Sequence, residues 1–311
     1  MIVVAVPSLI LAAISLAAFA GAWVWWLDVL ANFRAQYVVA LTVLGLVLLA
    51  SKWRKIAYGV LAVAAVNLVF VAPLYLGSPR AADPSLPHLR VMSFNLLSTN
   101  EQYVEVIEYI RSVEPDLVFL YEASRPWEVA IESAGLDYEV IRARSDDLIF
   151  GTLVLVKDEV EAISYGFAAR QPRAVQLTYQ PDNWPETVEV LSTHPLAPTT
   201  ADRAALRDAQ IDFAAGWASE RSGPYFVVGD LNATPWSAPF RKLVSEGDLL
   251  NSQIGFGLQP SFAATSNALF RVPIDHLLHS DSMTVRDRRL GPNLGSDHFV
   301  LIVDLQYLPA P

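Results

Sequence analysis

Three long apolar stretches open the chain, at residues about 3–26, 36–51 and 56–76. The first carries no charged residue and is long enough to cross a bilayer as a helix. Its far end holds Trp23, Trp25 and Trp26, and tryptophans are typical of a membrane–water interface. The pattern predicts a membrane region at residues 1–79 with three transmembrane helices.

A cleaved signal peptide is the alternative for the first stretch. The chain lacks a basic start, and the apolar run is longer than the core of a signal peptide, so a transmembrane helix is favoured. The positive-inside rule places Lys52, Arg54 and Lys55, between the second and third stretches, in the cytoplasm. The third helix would then deliver the rest of the chain outside the cytoplasm, although Arg80 and Arg90 argue mildly for the reverse.

The segment after the apolar stretches changes character. Residues 77–90 contain three prolines, which predict an extended linker at 80–88. From residue 89 onward, short apolar runs alternate with helical spacing, the pattern of an α/β domain. The predicted strands are 89–94, 117–121, 151–156, 173–180, 187–193, 225–229, 274–278 and 299–305, and the predicted helices are 101–113 and 201–219.

Composition narrows the possible chemistry. The chain has no cysteine, which excludes disulfides, thiolate nucleophiles and sulfur-bound zinc. Residues 80–311 hold 18 basic and 31 acidic residues, a formal net charge of −13. Such a domain should not bind duplex nucleic acid through a broad basic surface, but it could act on one phosphate through a bound metal.

One stretch, residues 226–235, concentrates candidate catalytic groups. Phe226–Val228 read as a short buried strand, and Gly229 allows a tight turn. Asp230 and Asn232 follow at extended spacing, which projects both side chains to the same side of the chain. An ordinary strand-to-loop turn is the alternative, because Gly, Asp, Asn and Pro are common turn residues.

Polar side chains recur at the ends of six predicted strands. Singly, each is most simply a solvated cap or a structural histidine. Together they form a set of carboxylates, amides and imidazoles that is hard to explain as loops. The set comprises Asn95, Glu122, His194, Asp230 with Asn232, Asp275, and Asp297 with His298.

These elements resemble the endonuclease/exonuclease/phosphatase superfamily, the DNase I-like metal-dependent phosphoesterases. The resemblance spans about residues 89–306, and the Gly-Asp-x-Asn and Ser-Asp-His elements together make it specific. The matching elements, in the family's order, are Phe94-Asn95, Pro115-Asp116 through Glu122, Thr193-His194-Pro195, Gly229-Asp230-Leu231-Asn232, Ile274-Asp275 and Ser296-Asp297-His298.

The resemblance implies a fold and a location. The catalytic domain, residues 89–311, is expected to be a four-layer α/β sandwich of two mixed β-sheets flanked by helices. The three transmembrane helices ahead of it look like a bacterial membrane-anchored branch of the superfamily. We therefore expect a multi-pass protein of the bacterial inner (cytoplasmic) membrane whose catalytic domain faces out of the cytoplasm.

The resemblance also assigns metal-binding and water-activating roles. Glu122 would be the principal ligand of Mg²⁺, with Mn²⁺ a possible substitute, because these hard cations prefer carboxylate oxygen. Asn95 would assist through its amide oxygen and Asp297 through a second carboxylate. Asp230 would hold or deprotonate the attacking water, while Asn232 would orient Asp230 and donate to the phosphate.

The imidazoles would manage charge and protons. His298 would bind the phosphate or move a proton, with Asp275 fixing its tautomer, and His194 would be a second imidazole on the phosphate. Leu97 departs from the family pattern, since some abasic-site endonucleases carry an acidic residue there, which weakens a second-metal or abasic-site interpretation. His276 and His279 match no family element, and we predict a structural or surface role for them.

The leading hypothesis is a membrane-anchored, Mg²⁺-dependent phosphodiesterase that acts on nucleic acid or on a phospholipid-like headgroup. A phosphomonoesterase similar to the inositol phosphatases is one alternative. A catalytically inactive, membrane-bound binding module is another, and retention of the whole polar set counts against it. The sequence indicates no protein partner.

Overall fold

The N-terminal region of the computed structural model is helical. The structure describes residues 2–77, 82–83, 86–144, 150–158, 160–167, 172–182 and 184–308. The first helix is continued by a 3₁₀ turn at Ala18–Ala22. The helices of this region are α1 (Ile2–Ala17), α2 (Trp25–Ala31), α3 (Arg34–Leu49), α4 (Arg54–Val71) and α5 (Pro73–Leu76).

Two helical segments, Ile2–Ala22 and Arg54–Val71, are long and apolar enough to cross a membrane. A third exists only if α2 and α3, which meet at a 64° bend, count as one span. The predicted boundary at residue 26 is wrong. Val24 is extended, so the first helix stops before it, and Trp25 and Trp26 begin α2 instead.

The rest of the chain alternates strands and helices. Its elements are β1 (Leu89–Asn95), α6 (Tyr103–Val113), β2 (Leu117–Ser124), α7 (Arg125–Ser133), β3 (Glu139–Ala143), β4 (Phe150–Val156), β5 (Glu161–Tyr165), β6 (Ala174–Tyr179), β7 (Val188–Ser192), α8 (Ala201–Ser219), β8 (Tyr225–Asp230), α9 (Ala238–Glu246), β9 (Leu250–Asn251), β10 (Asp275–His279), β11 (Met283–Leu290) and β12 (Leu301–Tyr307).

These strands form two six-stranded mixed sheets. The first has the order β11-β12-β1-β2-β4-β3 and the second β5-β6-β7-β8-β10-β9. Each sheet contains one parallel pair, β1–β2 or β7–β8, among antiparallel ones. Phe119, Val190 and Phe226 belong to the apolar core that the two sheets share. Helices α6 and α7 cover the first sheet and α8 and α9 the second, so the predicted four-layer α/β sandwich is confirmed.

All eight predicted strands and both predicted helices are present, with ends shifted by at most three residues. The four strands that the pattern missed, β3, β5, β9 and β11, are the four edge strands of the two sheets. Edge strands are often short or charged, which discourages pairing with other chains and removes the apolar alternation. The two-residue β9 and the Arg-Asp-Arg-Arg run of β11 show both devices.

The N-terminal helices pack against the catalytic domain. Trp236, in the loop after β8, shares a buried cluster with Ala18, Ala31, Val71 and Leu74. The Leu74 carbonyl accepts hydrogen bonds from the backbone N–H groups of Gly255 and Gly257 at 3.0 and 2.7 Å. The two regions therefore share a core.

Part of the predicted linker lies outside the described residues, namely 78–81 and 84–85, including Arg80. At Asp83 the chain is hydrogen-bonded to Gln306 of β12. The Asp83 N–H donates to the Gln306 side chain, and the Gln306 amide donates back to the Asp83 carbonyl, both at 2.7 Å. The division into membrane region, linker and catalytic domain remains a prediction.

Candidate active site

The predicted site residues converge at one end of the two sheets. A cleft of about 220 Å³ opens there. Asp275, the eighth predicted residue, begins β10 opposite Asp230 and lies against His298. The seven predicted residues that line the cleft are Asn95, Glu122, His194, Asp230, Asn232, Asp297 and His298.

Two of these residues have left-handed backbone conformations, with φ of 54° at Glu122 and 48° at Asn232. Residues other than glycine seldom adopt this conformation, and such strain is concentrated at functional sites. Glu122 lies where the register between β2 and β4 shifts, between Leu120 and Ala123. A bulge of this kind re-aims a side chain out of the regular ladder, and Glu122 accordingly lines the cleft.

Asn95 bridges two carboxylates through its amide nitrogen. Its Nδ2 donates to Glu122 Oε1 at 3.2 Å and to Asp230 Oδ2 at 3.1 Å, while its Oδ1 accepts from the Leu97 N–H. In this structure the amide nitrogen faces Glu122, and the expected role of the amide oxygen as a metal ligand stays a prediction. Two neighbouring carboxylates need a donor, which explains the orientation. A ligand role for Asn95 would require the amide to turn over.

His298 is held between two acids. Its Nδ1 lies 2.8 Å from Asp275 Oδ2, and its Nε2 lies 3.7 Å from Asp230 Oδ2. The Ser296 hydroxyl accepts from the His298 N–H and donates to the Asn95 carbonyl, which ties this loop to β1. Burial disfavours the charged ring, but Asp275 and Asp230 outweigh it and raise the pKa of His298 to about 10.

Asp230 is buried and surrounded by donors. Burial alone would raise the pKa of its carboxyl, but His298 and His194 lower that pKa well below its ordinary value. His194 Nε2 lies 3.4 Å from Asp230 Oδ2. Burial likewise opposes the charge on His194, and the Asp230 carboxylate reverses this and raises the pKa of His194.

Asn232 orients Asp230 through its backbone and not through its side chain. The Asn232 N–H donates to Asp230 Oδ1 at 3.0 Å, while its side-chain Nδ2 donates to the Pro195 carbonyl. The structure thus has a contact between Asn232 and Asp230, made by the backbone N–H, and the expected donation to the phosphate stays a prediction. The reason is the left-handed turn, which brings the N–H, and not the side chain, back onto the carboxylate.

The donor set at the mouth of the cleft suits a hard cation. Burial raises the pKa of Asp297, His298 lowers it, and the charge on Glu122 raises it further, so the two carboxylates repel one another there. Carboxylate oxygens, with an amide beside them, are what Mg²⁺ and Mn²⁺ prefer. A cation would relieve the repulsion.

A second cluster is unsuitable for a metal. One ligand atom from each of Asp230, Asp275 and His298 lies within 4.8 Å of the others. The raised pKa of His298 favours its protonated form, which has no lone pair to offer, and a carboxylate lies near each ring nitrogen. We interpret this trio as an imidazolium held between two carboxylates, separate from the proposed metal site.

Several residues of the cleft were not predicted, and they are Pro172, Leu196, Ala197, Arg203 and Phe262. Arg203 is the only Lys or Arg among the described lining residues. It lies in the first turn of α8, and its Nε donates to the Ala197 carbonyl at 3.0 Å. The predicted helix at 201–219 and the preceding His194 element could have indicated Arg203. Nothing in the sequence marks Phe262, whose ring packs on the His298 ring with centroids 5.0 Å apart.

The two unassigned histidines are buried outside the cleft. His276 Nε2 lies 2.8 Å from the Ala233 carbonyl and His279 Nδ1 lies 2.8 Å from the Ser280 carbonyl. Burial, with a contribution from Arg288, lowers the pKa of His276 to about 3. Burial also lowers the pKa of His279. These rings are parts of the core and not of the surface.

Comparison with solved structures supports the fold. The catalytic domain of human Nocturnin with bound sulfate is 18% identical, with a TM-score of 0.58 over 71% of this chain and 95% of that one. An endonuclease/exonuclease/phosphatase from Bacteroides vulgatus is 16% identical, with a TM-score of 0.60 over 71% and 100%. A mannosyl-6-phosphatase from Bacteroides thetaiotaomicron is 16% identical, with a TM-score of 0.55 over 70% and 100%.

A search of curated proteins gave no match. The sequence model of the Endonuclease/Exonuclease/phosphatase family matches residues 92–298, two thirds of the chain, from β1 to the Ser-Asp-His element. The matched span includes all eight predicted site residues. The chain therefore belongs to the Endonuclease/Exonuclease/phosphatase family and is a phosphoric ester hydrolase.

Proposed function

We propose that this protein is a membrane-anchored, Mg²⁺-dependent phosphodiesterase whose substrate is a lipid headgroup phosphodiester. Of the two substrate classes that the sequence left open, the lipid is favoured by one loop. This loop, residues 262–272, is here named the rim loop. It is closed by a bridge between Phe262 and Val272.

The base of the rim loop belongs to the cleft. Phe262 lines the cleft beside His298, and the Ala264 N–H donates to the Asp297 carbonyl at 2.8 Å. The tip is a 3₁₀ turn at Ala268–Phe270. A movement of the tip would therefore also displace residues at the mouth of the cleft.

The tip of the rim loop is fastened to a membrane-facing helix. Gln36, in the first turn of α3, donates from Nε2 to the Leu269 and Arg271 carbonyls at 3.2 and 3.0 Å. Leu269 and Phe270 are 66% and 61% exposed. If α3 enters the bilayer at this turn, these two side chains meet the headgroup region, and the cleft opens beside it.

The charges of the site suggest how it would work. Asp230, with its depressed pKa, is a poor proton acceptor at neutral pH and is suited to holding the attacking water. His298 and His194, whose raised pKa values favour the charged ring, would donate to the phosphoryl oxygens as charge develops, together with Arg203 at the mouth. Glu122, Asp297 and a turned-over Asn95 would hold Mg²⁺, or Mn²⁺ in its place. The bound cation would offset phosphoryl charge and lower the pKa of water.

The contact between Gln36 and the rim loop supports the orientation proposed from the sequence, in which the catalytic domain lies outside the cytoplasm. The turn between α3 and α4 carries the basic Lys52–Lys55 cluster, while the catalytic domain contacts the start of α3 through Gln36. A helix that spans the inner membrane puts these two ends on opposite sides. We expect alkaline phosphatase fused after residue 308 to be active and a cytoplasmic fluorescent reporter there to be dark. The reverse pattern would place catalysis in the cytoplasm.

The substrate class can be tested with purified full-length protein and Mg²⁺. The substrates are phosphatidylglycerol in vesicles, its soluble dihexanoyl analogue, bis(p-nitrophenyl) phosphate, p-nitrophenyl phosphate, and single- and double-stranded DNA and RNA. We expect the vesicle lipid to be cleaved with the highest kcat/KM and a chelator to abolish turnover. A preference for nucleic acid with a steep salt dependence would identify a nuclease, and a preference for the monoester would identify a phosphatase.

The rim loop supplies the matched variant. The double substitution Leu269→Ser/Phe270→Ser should lower vesicle hydrolysis on the order of 10-fold relative to hydrolysis of the soluble diester, because the cleft loses its position at the lipid surface. The control is Val104→Ser/Val129→Ser, two exposed apolar residues on α6 and α7. An equal loss on both substrates, or an equal loss in the control, would contradict the membrane role of the tip.

A further inference from the structure

One acid joins the N-terminal helices to the catalytic domain. Asp28, in α2, is the only acidic residue of residues 1–79. Its Oδ2 lies 3.1 Å from Nη2 of Arg207, on α8, and both side chains are at most 2% exposed. A buried charge without a partner is strongly destabilising. Arg207 also contacts Asp208 at 2.8 Å, but that carboxylate is 44% exposed, so Asp28 is its buried partner.

Both groups also hold the loop that follows Asp230. Arg207 Nη1 donates to the Asn232 carbonyl at 3.3 Å. Asp28 Oδ1 accepts the N–H of Ala238, the first residue of α9, at 2.7 Å. The N-cap residue of that helix, Ser237, makes no side-chain capping bond, so an acid from 210 residues earlier in the chain takes that place.

Two further contacts fasten the middle of the same loop. Thr234 Oγ1 donates to Asn32 Oδ1 at 3.0 Å. The indole of Trp236 is buried among Ala31 and Leu74 of the N-terminal helices. Residues 232–238, here named the catalytic loop, thus contact the N-terminal region along most of their length.

We propose that Asp28 is a positioning residue, which acts through Arg207 to set the catalytic loop and so the Asn232 N–H that orients Asp230. The N-terminal helices are in this respect part of the active site. Asn232 has a left-handed backbone, which costs free energy unless its surroundings enforce it. The hydrogen bond from Arg207 to the Asn232 carbonyl stabilises this conformation, and the ion pair with Asp28 fixes the position of Arg207.

The test uses full-length protein in detergent, with bis(p-nitrophenyl) phosphate and Mg²⁺ as the probe. Asp28→Asn keeps the shape but turns an amide nitrogen or a neutral oxygen toward Arg207. We expect kcat to fall about 10–100-fold while KM changes less than about 3-fold, because misplacing a catalytic group by about 1 Å has effects of this size. Asp28→Glu, which keeps the charge, should recover part of kcat.

A double variant separates positioning from stability. Asp28→Leu/Arg207→Met replaces the buried pair by apolar groups of similar size, which commonly keeps or raises stability. We expect its melting temperature to match or exceed that of Asp28→Asn while kcat stays low. Recovery of wild-type kcat would show that the pair serves stability alone and would overturn the proposal.

A readout that needs no substrate completes the test. Hydrogen exchange of the amides in residues 231–238 should accelerate in Asp28→Asn, and the amides of the β6–β7 hairpin should keep their protection. The control is Asp212→Asn, also on α8, which breaks an exposed pair with Lys242 and should leave exchange and kcat as in the wild type. Unchanged exchange at residues 231–238 in Asp28→Asn would refute the proposed role.

Discussion

Two acid–cation–acid arrangements in the described part of the chain, each with a buried cation, differ in kind. In the first, His298 lies between Asp275 and Asp230 at the ends of strands. In the second, Arg207 on α8 contacts Asp28 and Asp208. An imidazole can gain and lose a proton, whereas a guanidinium keeps its charge at any ordinary pH. The first arrangement can therefore take part in chemistry, and the second can only fix geometry.

The difference extends to where the partners come from. All three members of the histidine cluster lie within the part of the chain that the family model matches. The arginine cluster joins α8 to a helix about 180 residues earlier, outside that match. The histidine cluster thus lies in the part of the chain shared with the family, while the arginine cluster includes a residue outside that part.

Disabling the histidine cluster should produce the largest effect. Asp230→Asn preserves shape but removes the charge that holds the attacking water, and His298→Ala removes the partner cation. Each should lower turnover roughly 10²–10⁴-fold, and the double variant should lose less than the product of the two. Turnover and thermal melting of the three variants test this. Wild-type turnover in Asp230→Asn would contradict the assigned role.

The next effect concerns the metal, which we place outside both clusters. Glu122→Gln removes the principal carboxylate from the mouth of the cleft and should weaken Mg²⁺ affinity at least about 10-fold. Turnover measured against Mg²⁺ concentration should shift to higher concentration without a change in melting temperature. Glu132→Gln, on the exposed end of α7, is the matched control. Full activity in chelator-treated wild-type protein would refute the metal requirement.

Sequence reasoning predicted the histidine cluster and not the arginine cluster, for physical reasons. Asp230, Asp275 and His298 each stand beside an apolar strand, so their spacing along the chain is visible in the pattern. Asp28 instead lies in an apolar segment where a single acid resembles a loop residue. Its role depends on how two regions dock, and no local spacing encodes that contact.

The same distinction holds elsewhere in the molecule. The eight inner strands follow from their apolar runs, but the four edge strands do not, because they are short or interrupted by charged residues. The left-handed backbone at Glu122 and Asn232 was also not predictable, since neither residue is a glycine. As a result, the residues that were predicted as a site do lie together, while the orientations of Asn95 and Asn232 were not predicted.

His276, a buried histidine outside the histidine cluster, predicts how the stability of the protein depends on pH. Burial and Arg288 outweigh Asp230 at His276 and lower its pKa to about 3, whereas Asp275 and Asp230 raise the pKa of His298 to about 10. Because unfolding lets His276 bind a proton below about pH 6.5, the wild type should lose stability as pH falls from 6.5 toward 3. Between pH 7 and pH 5 the contribution is up to about 2 kcal/mol.

The variant His276→Gln keeps a donor for the Ala233 carbonyl but does not titrate. Its free energy of unfolding should therefore depend less steeply on pH over that range, as measured by thermal or denaturant melts at several pH values. The control is His88→Gln, a half-exposed histidine, which should leave the slope of the wild type in place. Parallel slopes for His276→Gln and the wild type would show that His276 is not kept neutral.

The smallest effect is expected at Arg203, one turn before Arg207 on the same helix. Arg207 is buried and holds the backbone, whereas Arg203 is exposed at the mouth of the cleft and would meet the substrate phosphate. Arg203→Gln should raise KM for the soluble diester about 10-fold, the loss of one charge-assisted hydrogen bond, with little change in kcat. The KM of Arg203→Lys should lie between those of the wild type and Arg203→Gln, because lysine keeps the charge but not the fork of donors.

The control for a general change in surface charge is Arg111→Gln, at an exposed arginine of α6. If Arg203→Gln and Arg111→Gln raise KM equally, the effect is one of surface charge in general, and Arg203 has no specific contact with the phosphate.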